Sequence, residues 1–143
     1  MNTVAVGTDG SDTAAKAVDF AIEMARKYEA DLVVASCYRP VSEARVKSEQ
    51  KDVPQEIKWS VNPTEDVDAT LRAAEEKAKA AGLRTVSEAR MGDPADVLCE
   101  IAEEREADVL IIGNKGMNRR VLGSVPNSVS HKAPCSVFIV KTA

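Results

Sequence analysis

Apolar residues fall into two patterns that alternate along the chain. Short, nearly continuous apolar runs, typical of buried strands, cover residues 3–8, 31–37, 85–91, 108–112 and 136–141. Between these runs, apolar residues recur with helical spacing, as in the stripes Ala14-Val18-Ala21-Ile22-Ala25, Val67-Leu71-Ala74-Ala78-Ala81 and Val97-Leu98-Ile101-Ala102, and residues 124–132 predict a short fourth helix. Alternation of strands and helices predicts a parallel sheet with helices on both faces. The third run is more polar than the others, which indicates an edge strand.

Capping residues mark where three of the predicted helices begin. Ser11 or Asp12 is a suitable N-cap for the first helix. The pairs Asn62-Pro63 and Asp93-Pro94 each place a capping residue before a proline, which is typical of a helix start. Gly82 predicts the end of the second helix.

Residues 38–61 interrupt this regular alternation. They contain two prolines and many charged residues and show little periodicity. Connections of this length are frequently functional, so we expect a long surface excursion here.

Composition narrows the class of protein. The chain has 143 residues, the size of one domain, and its 44% hydrophobic content is typical of a globular protein. Only 3% of the residues are aromatic, so the core must be aliphatic, which suits strands buried on both faces. A net charge of −4 argues against general nucleic-acid binding. With no membrane-length apolar stretch and no signal-peptide pattern, we expect a cytoplasmic protein that has no membrane partner.

Cysteine and histidine offer little chemistry in this sequence. Cys37, Cys99 and Cys135 are far apart and odd in number, so they predict neither a disulfide framework nor a zinc site. We interpret them as small buried hydrophobic residues in a reducing compartment. His131 lies late in a short predicted helix, where a cation complements the helix dipole, and we favour that structural role over catalysis. No Ser, His and Asp show the local signatures of a catalytic triad.

A glycine-rich basic loop between a predicted strand and a predicted helix is the strongest candidate for a binding site. Glycines let a backbone approach a ligand closely, and a helix start attracts an anion through its unpaired N–H groups. The spacing matches neither a Walker A loop nor a dinucleotide fingerprint, so a plain connecting loop remains an alternative at this point. The loop carries the residues Gly113, Lys115, Gly116, Arg119, Arg120, Gly123 and Ser124, with no acidic residue among residues 113–124.

Three segments together resemble the universal stress protein family. Gly113-x-x-Gly116 followed by Gly123-Ser124 resembles the nucleotide-binding signature of its ATP-binding members. Residues 4–11, VAVGTDGS, resemble the family's first strand and acidic turn, and residues 130–140 resemble its closing helix and last strand. One departure is clear: residues 117–122 form a shorter stretch between the glycines than ATP-binding members usually have.

The resemblance implies a fold, a ligand and an assembly. The fold would be one domain over residues 1–143, with a five-stranded Rossmann-like parallel sheet in the order 3-2-1-4-5. The ligand would be ATP with magnesium, the latter held by Asp9, and the protein would act as a nucleotide-dependent regulatory module in the stress response. The residues expected around the nucleotide are Gly7, Thr8, Asp9, Ala35, Ser36, Cys37, Gly113, Asn114, Lys115, Gly116, Arg119, Arg120, Gly123, Ser124 and Val125. Family members commonly pair as dimers through the last strand, here Val137, Phe138, Ile139 and Val140.

Other functions remain open within the same family. A non-nucleotide, dimeric interaction protein gains weight from the shortened loop. A member that binds cyclic AMP and a member that slowly hydrolyses ATP are further alternatives. We therefore expect an enzyme, if at all, only in the form of a slow ATPase.

Overall fold

Strands and helices alternate strictly through the residues that the computed structural model describes, which are 1–38, 63–114 and 123–141. Residues 39–61 of the predicted excursion and most of the glycine-rich loop lie outside these residues, whereas Tyr38 belongs to the second strand. The elements are β1 (Thr3–Gly7), α1 (Asp12–Tyr28), β2 (Asp31–Tyr38), α2 (Pro63–Ala80), β3 (Thr85–Met91), α3 (Pro94–Glu104), β4 (Val109–Asn114), α4 (Ser124–Lys132) and β5 (Ser136–Lys141).

The five strands form one parallel sheet in the order β3-β2-β1-β4-β5. This confirms the predicted fold class and strand order. It also confirms that β3, the most polar strand, lies at an edge. In the centre of the sheet Val6 is in register with Val34 on one side and with Ile111 on the other.

Alternate residues of the central strands face two separate cores. On one face Val4 and Val6 pack with the buried residues of α1 and α2. On the other face Ala5 packs in a second cluster with residues of α3 and α4, including Ile101 and Val129. Because both faces of the sheet are covered, the strands are continuous apolar runs in the sequence rather than runs of alternating apolar and polar residues.

The predicted caps are present at two helix starts. Ser11 is the N-cap of α1, and its side chain accepts a hydrogen bond from the Ala14 N–H at 3.1 Å. Asp93 caps α3 in the same way through the Asp96 N–H. The start of α4 differs, because its N-cap is Gly123, which offers no side chain.

The strand bounds differ from the prediction by one residue at the end of β1, at the end of β2 and at the start of β4. The largest difference is at the end of β4. We predicted that β4 ends at Ile112, but the strand continues through Gly113 to Asn114. Gly113 is in register with Val140 and Asn114 with Lys141, so β5 carries the pairing past the glycine. These two residues therefore end a strand instead of beginning a loop.

The remaining sequence expectations concern single residues and hydropathy. Cys37, Cys99 and Cys135 form no disulfide with one another, and all three belong to or pack against the second core cluster. His131 lies in the last turn of α4, as predicted. In the described part of the chain, no helix is both long and apolar enough to cross a membrane.

Candidate functional site

A crevice opens where β1 and β4 end side by side. The helix that follows β1 packs on one face of the sheet and the helix that follows β4 on the other, which makes this position the switch point at which such sheets bind ligands. The crevice has a volume of about 370 Å³. The described residues that line it are Gly7, Thr8, Asp9, Ser11, Thr13, Ala14, Ser36, Cys37, Pro94, Leu98, Ile112, Gly113, Gly123, Ser124, Val125 and Pro126.

The wall formed by the ends of β1 and β2 is held by buried hydrogen bonds. The Thr8 N–H donates to the Ala35 carbonyl at 2.9 Å, which continues the strand pairing beyond Gly7. The Ser36 hydroxyl, which is 2% exposed, donates to the Thr8 carbonyl at 2.7 Å. The polar groups of this wall are thus bonded to one another, which restrains their positions without a ligand.

The turn after this wall is bonded in the same manner. The Asp9 carboxylate accepts the Ser11 N–H at 2.9 Å, and the Thr8 hydroxyl accepts the Gly10 N–H at 3.2 Å. Gly10 has a φ of 82°, in the left-handed region that favours glycine. Asp9 therefore stabilises the turn that leads into α1 while it also lines the crevice.

The opposite wall is built from the end of β4 and the start of α4. The Asn114 side-chain oxygen accepts the Gly123 N–H at 3.1 Å, which ties the strand end to the helix start. The first intrahelical bond runs from the Asn127 N–H to the Gly123 carbonyl. Pro126 has no N–H, so the helix start presents two N–H groups, those of Ser124 and Val125, that have no partner among the described residues.

Packing accounts for two of the three glycines that line the walls. A Cβ on Gly113 would lie 3.2 Å from the backbone oxygen of Thr13, and one on Gly7 would lie 2.9 Å from Leu98 Cδ1. A Cβ on Gly123 would make only ordinary contacts, the shortest at 3.6 Å to Pro126 Cδ. Packing within the protein explains the first two glycines, but it does not explain Gly123.

The floor of the crevice is apolar. Leu98 and Pro94 belong to α3, and Ile112 is the last buried residue of β4. Leu98 and Ile112 are also members of the second core cluster, so the floor of the crevice is continuous with that core. An apolar floor with polar groups at one rim suits a flat, largely apolar group that carries a small charged or polar end.

Charged side chains are scarce among the described residues that line the crevice. Asp9 is the only acidic or basic side chain among the described residues that line it. No three His, Cys, Asp or Glu side chains gather as a metal site within residues 1–38, 63–114 and 123–141. Burial raises the pKa of the Cys99 and Cys135 thiols, which lie outside the crevice and stay protonated near neutral pH.

Most of the site residues expected from the sequence meet in this crevice. Gly7, Thr8, Asp9, Ser36, Cys37, Gly113, Gly123, Ser124 and Val125 all line it. Ala35 and Asn114 do not line it but hold it, Ala35 through its carbonyl and Asn114 through its side chain. The remaining four, Lys115, Gly116, Arg119 and Arg120, lie outside the described residues.

The apolar floor and part of the rim were not predicted from the sequence. Leu98 was assigned to the core face of its helix, which is correct, but helical spacing does not reveal that it also reaches the crevice. Pro94 was interpreted only as a helix-start residue. The other residues missed were Ser11, Thr13, Ala14, Ile112 and Pro126.

Comparison with known proteins assigns a family to this Rossmann-like fold and its crevice. The model of the Universal stress protein family matches residues 1–141, and the chain belongs to that family. A universal stress protein of Mycobacterium tuberculosis (strain H37Rv) is 40% identical, over 98% of this chain and 96% of the relative.

Solved structures agree with this assignment. A universal stress protein crystallised in complex with cAMP is 36% identical and aligns with a TM-score of 0.74, over 99% of this chain and 98% of that one. The universal stress protein from Archaeoglobus fulgidus in complex with dAMP aligns with a TM-score of 0.71 over 99% of this chain and 98% of that one. Its 22% identity supports the fold alone.

Proposed function

We propose that this protein binds an adenine nucleotide in the crevice between β1 and β4, and that it prefers cyclic AMP to ATP. The observation that carries the proposal is the crevice itself, which is lined both by apolar side chains and by a helix start that offers two N–H donors and has no side-chain cap. An adenine ring suits the apolar floor, and a phosphate suits the positive end of a helix dipole. The cAMP complex of a 36% identical family member supports the same ligand class.

The preference for a single phosphate rests on the size and charge of the described crevice. Its volume of about 370 Å³ is near the lower end of the ~300–1,000 Å³ typical of small-molecule sites. Cyclic AMP carries one negative charge, whereas ATP carries several that would need cations close by. No cationic side chain is found among the described lining residues. The basic residues Lys115, Arg119 and Arg120, predicted to bind phosphate, lie outside the described residues.

ATP with magnesium is the second candidate, and Asp9 is the residue that favours it. Magnesium in nucleotide sites is usually held by one or two carboxylates together with phosphate oxygens. Asp9 supplies one carboxylate at the rim, and one of its oxygens already accepts the Ser11 N–H. These residues fit magnesium only if phosphates provide most of its ligands. In that case the ion would neutralise phosphate charge beside Asp9.

The output of binding would be regulatory. In this proposal the bound nucleotide changes the relative populations of protein conformations that contact partners differently, and no chemical product is formed. The chain would act as a single domain over residues 1–143 in the cytoplasm, as part of a stress response. These roles follow from membership of the family and are proposed on that basis.

The protein would work as a homodimer through β5. Phe138 on this edge strand is 40% exposed and stacks on the equally exposed Phe20 of α1, with ring centroids 4.6 Å apart. An apolar edge strand with unpaired backbone groups favours pairing with a second chain. A two-fold contact between identical strands would cover both rings.

Light scattering of two charge variants tests the dimer. Phe138→Glu should give a monomer at micromolar concentration, because it buries a charge in the proposed contact. Val86→Glu is the matched control, since Val86 is 42% exposed on the opposite edge strand. A wild-type mass equal to one chain would contradict the dimer.

Mass spectrometry of the nucleotide released from denatured, purified protein tests the ligand. Released cyclic AMP supports the proposal, and released ATP supports the second candidate. An empty site that takes up neither nucleotide would contradict the proposal and favour the alternative function, a dimeric interaction protein of the same family. More than one product molecule formed per chain during incubation with ATP would identify a slow ATPase.

A further inference from the structure

The two edge strands of the sheet carry different side chains. β5 presents an apolar run with the exposed Phe138 in its middle. β3 also carries two exposed apolar residues, Val86 and Met91, near its two ends. Between them, however, lie the charged residues Glu88 and Arg90. Within the described part of the chain, no strand pairs with the outer side of β3.

Glu88 and Arg90 lie two positions apart, on the same face of β3, and are bonded to each other and to α3. The Nε of Arg90 donates to Glu88 at 2.9 Å. Its Nη2 donates to Glu88 and also to Glu104, and its Nη1 lies 4.0 Å from a Glu100 carboxylate oxygen. Arg105, the C-cap residue of α3, donates from its Nε to Glu88 at 3.3 Å. These side chains form one ion-pair network that joins the edge strand to the helix.

The network holds charge at the edge of the sheet. The side chains of Glu88 and Arg90 are only 21% and 26% exposed, which restrains them beside the strand. A hydrogen bond from Arg90 lowers the pKa of the Glu104 carboxyl, so this group is ionised at neutral pH. A strand added beside β3 would place its side chains about 5 Å from Glu88 and Arg90. It would displace water from the network, which costs free energy unless the added strand supplies matching polar groups.

We infer that the ion-pair network around Arg90 prevents the β3 edge from pairing with an edge strand of a second copy of this chain. Charged side chains are a common protection of exposed sheet edges. Without the network, β3 would be an exposed strand with β-branched and apolar residues, which favours pairing with another chain. This edge lies opposite the one proposed for the dimer. Two open edges would let copies join into open-ended chains, whereas a closed β3 edge stops assembly at a closed pair.

Analytical ultracentrifugation of the double variant Glu88→Thr with Arg90→Thr tests this role. The variant removes one negative and one positive charge, so the net charge of −4 is kept, and threonine is favourable in strands. We expect a concentration-dependent average mass that reaches at least about twice that of the wild type. Glu23→Thr with Arg26→Thr is the matched control, because it removes an exposed ion pair from α1 and should leave the mass unchanged.

A further variant separates edge pairing from aggregation of partly unfolded protein. Val86→Lys, added to the double variant, returns a charge to the same edge without rebuilding the network. The mass and solubility of this triple variant should return to those of the wild type. Association that persists in the triple variant would overturn the inference, because the edge would then not be the surface that associates.

The remaining outcomes keep this inference apart from the proposed function. A double variant with the mass of the wild type over the whole concentration range would overturn the role of the network. A wild-type mass equal to one chain would contradict the proposed dimer through β5 only. In that case, association of the double variant and its reversal by Val86→Lys would still support a closed β3 edge.

Discussion

The two walls of the crevice differ in how their polar groups are used. On the β1 side, Thr8 and Ser36 are bonded to neighbouring backbone, and Asp9 accepts a backbone N–H. On the β4 side, the start of α4 keeps two N–H groups with no partner among the described residues. The polar groups of the first wall are paired with one another and fix the shape of the crevice, whereas the second wall keeps hydrogen-bond donors for a ligand. A binding site needs both an ordered frame and donors that the ligand can use.

The largest expected effect comes from adding bulk at Gly123. The backbone there has an ordinary φ of −63°, and a Cβ would meet no close protein atom, so Gly123→Val should fold. Its branched side chain would stand where a phosphate approaches. We expect cyclic AMP affinity to fall by ~100-fold, equivalent to ~3 kcal/mol, as measured by calorimetry.

Two further variants control this result. Gly123→Thr has similar bulk but caps a helix about as well as glycine, so it should lose binding with no loss of stability. Gly113→Val should instead lower the melting temperature, because its Cβ would meet the Thr13 backbone oxygen at 3.2 Å. If Gly123→Val kept wild-type affinity, the wall formed by β4 and α4 would not bind the phosphate.

A smaller effect is expected from the bonded wall. Ser36→Ala removes the hydroxyl that donates to the Thr8 carbonyl and leaves a buried acceptor unsatisfied. The free energy of unfolding should fall by ~1–3 kcal/mol in denaturant titrations. Ser130→Ala is the matched control, because its hydroxyl also donates over 2.7 Å to a backbone carbonyl but is exposed. Equal effects of the two substitutions would show that burial does not strengthen this wall.

Asp9→Asn separates the turn from the ligand. Asn keeps a side-chain oxygen that can accept the Ser11 N–H and tolerates the same turn, so the melting temperature of the empty protein should barely change. ATP with magnesium should bind several-fold more weakly, whereas cyclic AMP should be little affected. Asp12→Asn, an exposed substitution outside the crevice, is the control. A loss of stability that is the same with and without ligand would assign Asp9 to the fold alone.

The smallest effect is expected from Asp108, which lies at the end of the strands opposite the crevice. The N–H groups of Asn2 and Thr3 donate to Asp108 at 2.6 and 2.9 Å and hold the pKa of that carboxyl below its usual value. The lowered pKa means that its stabilisation is present above the unfolded pKa of ~3.9 and is lost as the pH falls through the folded value. Asp108→Asn should flatten the acid limb of a melting-temperature profile and leave cyclic AMP binding at pH 7 unchanged. A steeper acid limb would contradict this.

The sequence determined most elements of this fold but not their arrangement. The predicted bounds of α4 and β5 agree with the structure because a flexible or polar residue flanks each apolar pattern. The strand order came from the family resemblance, since pairing between distant segments leaves no periodic trace. β4 was ended too early at Ile112, because Gly113 and Asn114 have loop-like local preferences that pairing with β5 overrides.

The site was predictable to a similar extent. The glycine-rich, basic stretch after β4 indicated one wall from the residues themselves, whereas Asp9 and the ends of β1 and β2 were assigned to the site through the family resemblance. Leu98 was not predicted as a lining residue, since an apolar residue on a helix has the same spacing whether it meets the core or a ligand. The role of Asn114 depends on a contact over nine positions, which no local pattern encodes.

Calorimetric titration of cyclic AMP and of ATP with magnesium into the wild-type protein tests whether the crevice is a single-phosphate site. We expect saturable binding of cyclic AMP with an affinity at least about tenfold higher than that of ATP. Tighter binding of ATP with magnesium would contradict the single-phosphate site. Absence of heat and of any thermal shift with either nucleotide at millimolar concentration would contradict nucleotide binding in the crevice.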